Sequence, residues 1–409
     1  MTVTTQPRPA PDEIGHPDVV EALRAEIARE GAITFARFME QALYHPDGGY
    51  YRTPARRPGR GGDFLTAPEV HPFFGITIAN QVAELWERLD RPDPFVVREY
   101  GPGVGGLAYD IIAGLHAHHP EVIPALRYRL RDVNRHRMAE AMSAMMEVGL
   151  DDIVSVENPE HEETIEPVTG VVLANEVADA LPAHELVWTG DALREHWVVW
   201  DPATDWFAWE VRDLSPEVAA TDPLDWLRGR DIDPTRWPAG SRIAWSPALT
   251  DWIGEIGRGL DRGYALIIDY GYPALELYRD HLLEGTIRAY REHTVSDDPF
   301  QHVGEQDLTV HVDFTRITDA AEAMEIAATP VVSQGDFLSR LEMGQLLVGL
   351  QGDPEIDMLG YHRAQAAVFR LIDPGGLGRF RVVGLAKNAP LDPLPTGFTP
   401  DKLPESLRI

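Results

Sequence analysis

The chain has 409 residues, 44% of them hydrophobic and 25% charged, with a formal net charge of −30 and no cysteine. That length buries a sizeable core in one large domain with additions or in two domains, and the composition is ordinary for a globular protein. The acidic balance disfavours non-specific binding to nucleic acid or an anionic membrane, the missing thiols exclude disulfides and a cysteine nucleophile, and no apolar run reaches the ~20 residues that span a bilayer. A cationic, neutral or locally basic partner suits such a surface, and so does plain solubility. A cytoplasmic enzyme is the simplest reading.

The opening stretch, MTVTTQPRPAPDEIGHPD, has no apolar core of a signal peptide, and its prolines predict a loosely ordered leader. Residues 18–30 put Val19, Val20, Leu23 and Ile27 on one helical stripe that Gly31 ends. A second helix is expected from an N-cap at Thr34 to about His45-Pro46, with Phe35, Phe38, Met39, Ala42 and Leu43 facing inward. The Gly-, Pro- and Arg-rich stretch after it, YYRTPARRPGRGGDFLTAPEVHP, has no period and is the kind of long loop that is either disordered or functional. A further helix runs from about Phe74 to Leu89.

From residue 95 the rhythm is strand, loop, helix: FVVREYG, LAYDIIAGLHAH, LRYRLRDV, RHRMAEAMSAMMEVG, IVSVEN, GVVLANE and, later, YALIIDYG. Short apolar strands alternating with helices predict a parallel, doubly wound α/β sheet. Residues 185–261 break the rhythm and hold nine of the ten tryptophans. ELVWTG, REHWVVWD and DWFAWEVRD read as antiparallel strands, with the indoles expected as the core of an inserted meander. The proline-rich tail, NAPLDPLPTGFTPDKLPE, is expected to be extended.

Gly101, Gly103, Gly105 and Gly106 stand between a strand and a helix. Glycines permit a tight turn and close approach of a ligand to the backbone, and the helix start presents free N–H groups. The same residues satisfy the Gly-x-Gly-x-x-Gly pattern of nicotinamide enzymes, so the loop alone leaves a methyltransferase, a dinucleotide enzyme and a structural turn open. Glu99, ending the strand, favours the first: a carboxylate suits the ammonium of a methionine moiety and is badly placed beside a pyrophosphate. Its other reading is a surface acid. Asp132, ending the next strand, can accept both ribose hydroxyls in either cofactor class. Asn175, Glu176 and Asp179 fall at the carboxyl edge of the sheet, where carboxylates can clamp a guanidinium or amine in line and take up its proton. Turn and cap chemistry is the alternative there. The histidines and acids between His293 and Asp313 are dense enough for a site-facing loop, and their spacing matches no metal motif.

GDFLTAPEVHPFFG, EYGPGVGGLAYDI, ANEVADALPAH, IIDYGYP, DLTVHVDFT, SQGDFL and LGRFRVVGLAK follow one another over roughly residues 30–390. As an ordered set they resemble the MidA/NDUFAF7-like methyltransferases, also called the DUF185 family, whose mitochondrial members methylate an arginine of a respiratory complex I subunit. The resemblance implies an S-adenosylmethionine-dependent enzyme with a Rossmann-like class I fold, a seven-stranded, mostly parallel sheet and an N-terminal helical cap. The expected organisation is a leader and cap at 1–94, a core at 95–184 and 262–409, and a Trp-rich antiparallel insertion at 185–261. By the same resemblance Asp63, Phe64 and Thr66 would border the cofactor and acceptor pocket. Glu99, Gly101 and Gly103 would hold the methionine end and Asp132 the ribose. Asn175 and Glu176 would stand near the transferring methyl group, and His311 and Asp313 would bind the acceptor. The chain departs from the family pattern at EYGPGVGG, Asp132-Val133-Asn134, Ser333-Gln334-Gly335 and Val177-Ala178. The last of these borders the acceptor side. The expected function is a protein arginine N-methyltransferase acting on a partner such as a respiratory-complex subunit. Competing readings are methylation of a small molecule or modified peptide, a non-catalytic assembly factor, and a nicotinamide oxidoreductase.

Overall fold

The alternation of apolar strands and helices from residue 95 onward builds the larger of two principal sheets. The computed structural model describes residues 3–53, 66–157, 159, 165–279, 282–352 and 356–400. Strands β1 (Phe95–Tyr100), β2 (Leu126–Arg131), β3 (Val154–Glu157) and β4 (Val168–Asn175) come first. The chain then supplies β5 (His184–Trp188), β6 (Leu193–Asp201), β7 (Trp206–Arg212) and β8 (Arg242–Trp245) to a second sheet, and returns with β9 (Leu260–Asp269) and β10 (Arg381–Lys387). The larger sheet runs β10-β9-β4-β1-β2-β3. Its members from β9 to β3 are parallel, and β10 is antiparallel to β9. The two-residue strands Ala327–Ala328 and Val332–Ser333 pair antiparallel with β10, making eight strands among the described residues. The expectation of seven mostly parallel strands is therefore met only in part: five are parallel, and the far edge is antiparallel and fragmentary.

Helices α1 (Pro17–Glu30), α2 (Phe35–Tyr44), α3 (Phe73–Arg88), α4 (Gly106–His118), α5 (Arg135–Glu147), α6 (Pro247–Arg258), α7 (Phe314–Glu322) and α8 (Met358–Ile372) surround the sheets. A period of two divides each central strand between two cores. Phe95 and Val97 of β1, Val171 and Leu173 of β4, and Leu266 and Ile268 of β9 pack with α3, α4, α5 and α8. Val96, Val172, Ala265 and Ile267 point the other way, against α6 and α7. Both faces are covered, which is why these strands read as unbroken apolar runs. The buried guanidinium of Arg98 is gripped by Glu157 at 2.7 and 2.9 Å, tying β1 to the edge strand β3.

The Trp-rich strands pair antiparallel as expected, but they do not form a separate unit. Val3–Thr5 adds to β7 and Ile33–Thr34 to β6, giving six strands that join the N-terminal region to residues 184–245. Within the leader expected to be loose, Val3–Thr5 is thus an edge strand. Trp206 and Trp209 pack with Phe35, Phe38 and Phe300 beneath α1 and α2. Trp188, Trp237 and Trp245 belong to another cluster with Leu277 and Tyr278, and Trp252 of α6 packs under the larger sheet. The indoles serve three cores, because sequence proximity does not dictate which layer a side chain enters. The tail is also docked as far as residue 400: Phe398 is buried against Phe337, and the Gly397 N–H donates to Gln81 Oε1 at 3.0 Å.

The strand order places the site. β1 is followed in sequence by β2 on one side, while β4 returns to its other side, so the carboxyl ends of β1 and β4 flank a topological switch point. Open α/β sheets leave a ligand crevice there.

Candidate active site

β1 delivers the glycine loop to this crevice. Gly101 and Gly103 adopt φ of 61° and 56°, the left-handed region that side chains other than glycine enter only with strain. A Cβ on Gly103 would meet nothing within 4 Å among the described residues, which leave space on that side of the loop. A Cβ on Gly101 would lie 2.8 Å from Val177 Cγ2, which places the loop directly beside the turn that follows β4. Gly105 turns the chain into α4, whose first N–H groups are free of helical partners.

Glu99 is buried, so it is not the surface acid of the alternative reading. Its Oε2 accepts a hydrogen bond from the Tyr128 hydroxyl at 2.7 Å, and burial lifts its carboxyl to about 7 against that bond. A buried carboxylate held up by desolvation is one that an incoming ammonium would stabilise in its charged form. Asp132 follows directly on β2, where its Oδ1 accepts the Asn134 N–H at 2.7 Å. The loop after α2 clamps this turn: Asn134 Nδ2 donates to the Tyr51 carbonyl at 2.6 Å, and Arg52 Nη1 to the Val133 carbonyl at 2.9 Å.

β4 ends at Asn175, and Glu176 follows in the left-handed region at φ 55°. Glu176 Oε1 accepts from the Ala67 N–H at 3.1 Å and from Asn175 Nδ2 at 3.0 Å, while Asn175 Oδ1 is buried with no partner among the described residues. Burial pushes the Glu176 carboxyl to about 7, helped by the neighbouring Asp269 and Glu69. Asp179 is pushed well above the usual carboxylate range, by burial first and then by Asp269, Asp307 and Glu176. Asp269, at the end of β9, is fully buried.

The opposite wall comes from segments far apart in the chain. Tyr44 and Tyr51 stack with ring centroids 5.6 Å apart, the Tyr51 hydroxyl donates to Asp307 Oδ2 at 2.9 Å, and the Tyr44 hydroxyl to the Ala180 carbonyl at 3.0 Å. The Val310 N–H donates to the Asp179 carbonyl at 3.0 Å, which brings the 307–313 segment to the same edge. His311 stands edge-on to Tyr270 at 4.3 Å, with its Nδ1 buried and without a partner among the described residues. Burial first, then Arg288 and Arg379, lowers its pKa to about 3, so the imidazole is neutral.

Glu99, Gly101, Gly103, Asp132, Asn175, Glu176 and Asp179 line the two sides of the switch point, and His311 stands nearby. Asp313 does not offer its carboxylate to the crevice: Oδ1 caps α7 through the N–H groups of Thr315 and Arg316, and Oδ2 accepts from the Tyr278 hydroxyl at 2.8 Å. Thr66 heads the short helix Ala67–Val70, its N–H bonded to Glu69 Oε2 at 3.4 Å. Asp63 and Phe64 lie outside the described residues. His293 sits in an exposed hairpin turn, and the backbone N–H of His302 bonds the Glu13 carbonyl at 2.6 Å; both serve the chain's own architecture. Sequence reasoning missed Tyr44, Tyr51 and Asp269, while Asp307 belongs to the dense loop of histidines and acids it had marked as site-facing. The one signal for Asp269 was a lone acid closing the apolar run LIID.

A glycine cradle facing open space, a buried acid before it, a ribose-side acid after the next strand and an orphaned carbonyl oxygen at Asn175 fit an adenosyl-methionine ligand. These features, on a sheet open at its switch point, define an α/β methyltransferase. The chain is similar over 98% of its length to all of a COG1565 superfamily protein from Burkholderia thailandensis solved with S-adenosyl-homocysteine bound, at 30% identity and a TM-score of 0.81. It is 29% identical over 396 residues to the mitochondrial protein arginine methyltransferase NDUFAF7 homolog of Drosophila melanogaster, covering 91% of this chain and 86% of that one. It is 26% identical to protein arginine methyltransferase NDUFAF7 of Danio rerio, covering 91% and 88%. Residues 77–331 match the profile of the Methyltransf_28 family of S-adenosyl-L-methionine-dependent methyltransferases, and the chain belongs to that family. It is an enzyme of the MidA/NDUFAF7 type, and S-adenosylmethionine is its cofactor.

Proposed function

We propose that the enzyme transfers the methyl group to an arginine side chain of a partner protein, such as a respiratory-complex subunit. The observation that carries this reading is the mutual crowding of Glu176, Asp179 and Asp269, which burial drives toward their neutral forms, with the Asp307 charge beside Asp179; a cation would relieve it. The names of the relatives as protein arginine methyltransferases agree with it. S-adenosylmethionine supplies a methyl group on an electrophilic sulfonium. In our reading Gly101 and Gly103 let the ligand approach the backbone, Glu99 pairs with its ammonium and Asp132 accepts from its ribose. Asn175 fixes the edge of the ligand nearest the acceptor. Glu176 and Asp179 receive the guanidinium, and Glu176, with a carboxyl near 7, takes up the proton released on methylation. His311 forms the neutral wall beside the entering side chain. Asp313 has a structural part.

Incubating the purified enzyme with methyl-labelled S-adenosylmethionine and a lysate of its own source tests the proposal. Label is expected in a discrete protein band. Label confined to small molecules would overturn the protein acceptor.

A further inference from the structure

The turn that carries Asn175, Glu176 and Asp179 is held by a residue that no role in binding or chemistry has yet claimed. Asp269 closes β9 with a carboxylate buried to 0% exposure. Its Oδ2 accepts from three consecutive backbone N–H groups, Val177 at 3.1 Å, Ala178 at 2.8 Å and Asp179 at 3.3 Å. Its Oδ1 accepts from the Tyr270 N–H at 2.7 Å. One side chain therefore satisfies four main-chain donors from two segments.

Both segments lead to the crevice. The first is the turn after β4, where Glu176 is bent into the left-handed region and its own N–H reaches the Ile268 carbonyl at 2.9 Å. A non-glycine residue in that region is strained and persists only where its surroundings determine it. The second is the Tyr270–Tyr272 stretch. The Tyr270 carbonyl accepts from the Val312 N–H at 3.0 Å, and Gly271–Tyr272 pairs parallel with Val312–Asp313, which sets His311 against Tyr270. Without the Asp269 carboxylate, the N–H groups of Val177, Ala178 and Asp179 would lose their common acceptor at the floor of the site, and buried donors left without partners make the turn rearrange.

We infer that Asp269 is a positioning residue for methyl transfer: through four backbone N–H groups it fixes the Asn175–Asp179 turn and the Tyr270 wall, and so the line between acceptor and methyl group. The inference rests on the acceptor site proposed above. It deepens that site without adding a group that touches the substrate. Displacement by about 1 Å in such a site costs on the order of 100-fold in rate, while the glycine loop, Glu99 and Asp132 hang from β1 and β2 and stay where they are.

The wild-type protein gives the first readout, free of any folding risk. Amide exchange of Val177, Ala178 and Asp179 is expected to be as slow as that of β4, although these residues form a turn at the sheet edge. Exchange at the rate of an open loop would overturn the inference. The second readout is Asp269→Asn, which keeps the size and one carbonyl oxygen. Its dissociation constant for S-adenosylhomocysteine, by calorimetry, is expected to stay within about threefold of wild type. Its rate of labelling the protein band marked by wild type is expected to fall about 100-fold, and exchange of residues 175–179 to accelerate while that of β1 and β2 does not. Equal losses of ligand binding and transfer, or a transfer rate within threefold of wild type, would contradict a positioning role. If wild type labels no protein, the arginine acceptor fails, while amide protection still decides whether Asp269 holds the turn.

Discussion

The two banks of the crevice are made of different materials. On the β1 side the crevice offers main chain: Gly101 and Gly103 in left-handed geometry, the start of α4, and one buried acid before the loop. On the β4 side it offers side chains, namely carboxylates and tyrosines brought from β4, β9, the end of α2 and residues 307–311. A bank of main chain is written in one short stretch of sequence, because the glycines must be consecutive neighbours of the turn they permit. A bank of side chains is assembled by the fold, and its members need not be near one another in sequence. If the site binds as proposed, the first bank serves any acceptor and the second selects one.

Substitutions on the two banks should therefore fail differently. On the β4 bank, Glu176→Ala is expected to lower turnover about 1000-fold while moving the cofactor dissociation constant less than about threefold, measured by single-turnover labelling and calorimetry. A variant with normal turnover removes Glu176 from the chemistry. On the β1 bank the pattern reverses. Gly103→Val places a branched side chain in open ligand space at φ 56°, a cost of about 3 kcal/mol that weakens S-adenosylmethionine binding ~100-fold. Unchanged binding would dissolve the contrast between the banks.

Glu99 sharpens the comparison through pH. Its carboxyl lies at about 7 in the ligand-free protein, and an ammonium ligand needs it ionised. Affinity for S-adenosylhomocysteine is expected to be level above about pH 8 and to fall by about tenfold per unit below 7. Ligand-free stability has the opposite sign. The folded state keeps a proton that the unfolded chain releases near the usual 4.5, so this contribution is full below that value and is lost as pH rises through 7. Glu99→Gln should flatten both curves, and a wild-type affinity independent of pH would remove Glu99 from the ammonium site. The smallest effect belongs to neither bank. Asp313→Ala should cost about 1 kcal/mol of stability through the lost α7 cap, read by denaturant titration, and leave the acceptor KM unchanged. A raised KM would return Asp313 to the acceptor site.

Much of the core was legible because local physics specified it. The cap at Thr34, the stripe of α2 and the buried runs of β1, β4 and β9 each follow from a few adjacent residues. Glu99, Asp132 and the glycine loop were found for the same reason: each sits at the end of a recognisable strand. What stayed hidden depended on tertiary choice. Val3–Thr5 lacks any pattern that distinguishes an edge strand from a leader, and only the open edge of β7 gives it a partner. The tryptophans announced burial but not which of three cores each would enter. Asp313 sat among site-like acids in sequence, yet the start of α7 claimed its carboxylate, while Asp307, six residues earlier, received the Tyr51 hydroxyl from the loop after α2 instead.

The acceptor atom is the most direct measure of the account. The protein band labelled by the wild-type enzyme would be digested and its modified peptide sequenced by mass spectrometry. The carboxylate-lined bank calls for methyl groups on a guanidinium nitrogen of arginine, absent when Glu176→Ala replaces the wild-type enzyme. Methylation of a carboxylate, a main-chain amine or a lysine side chain would contradict it.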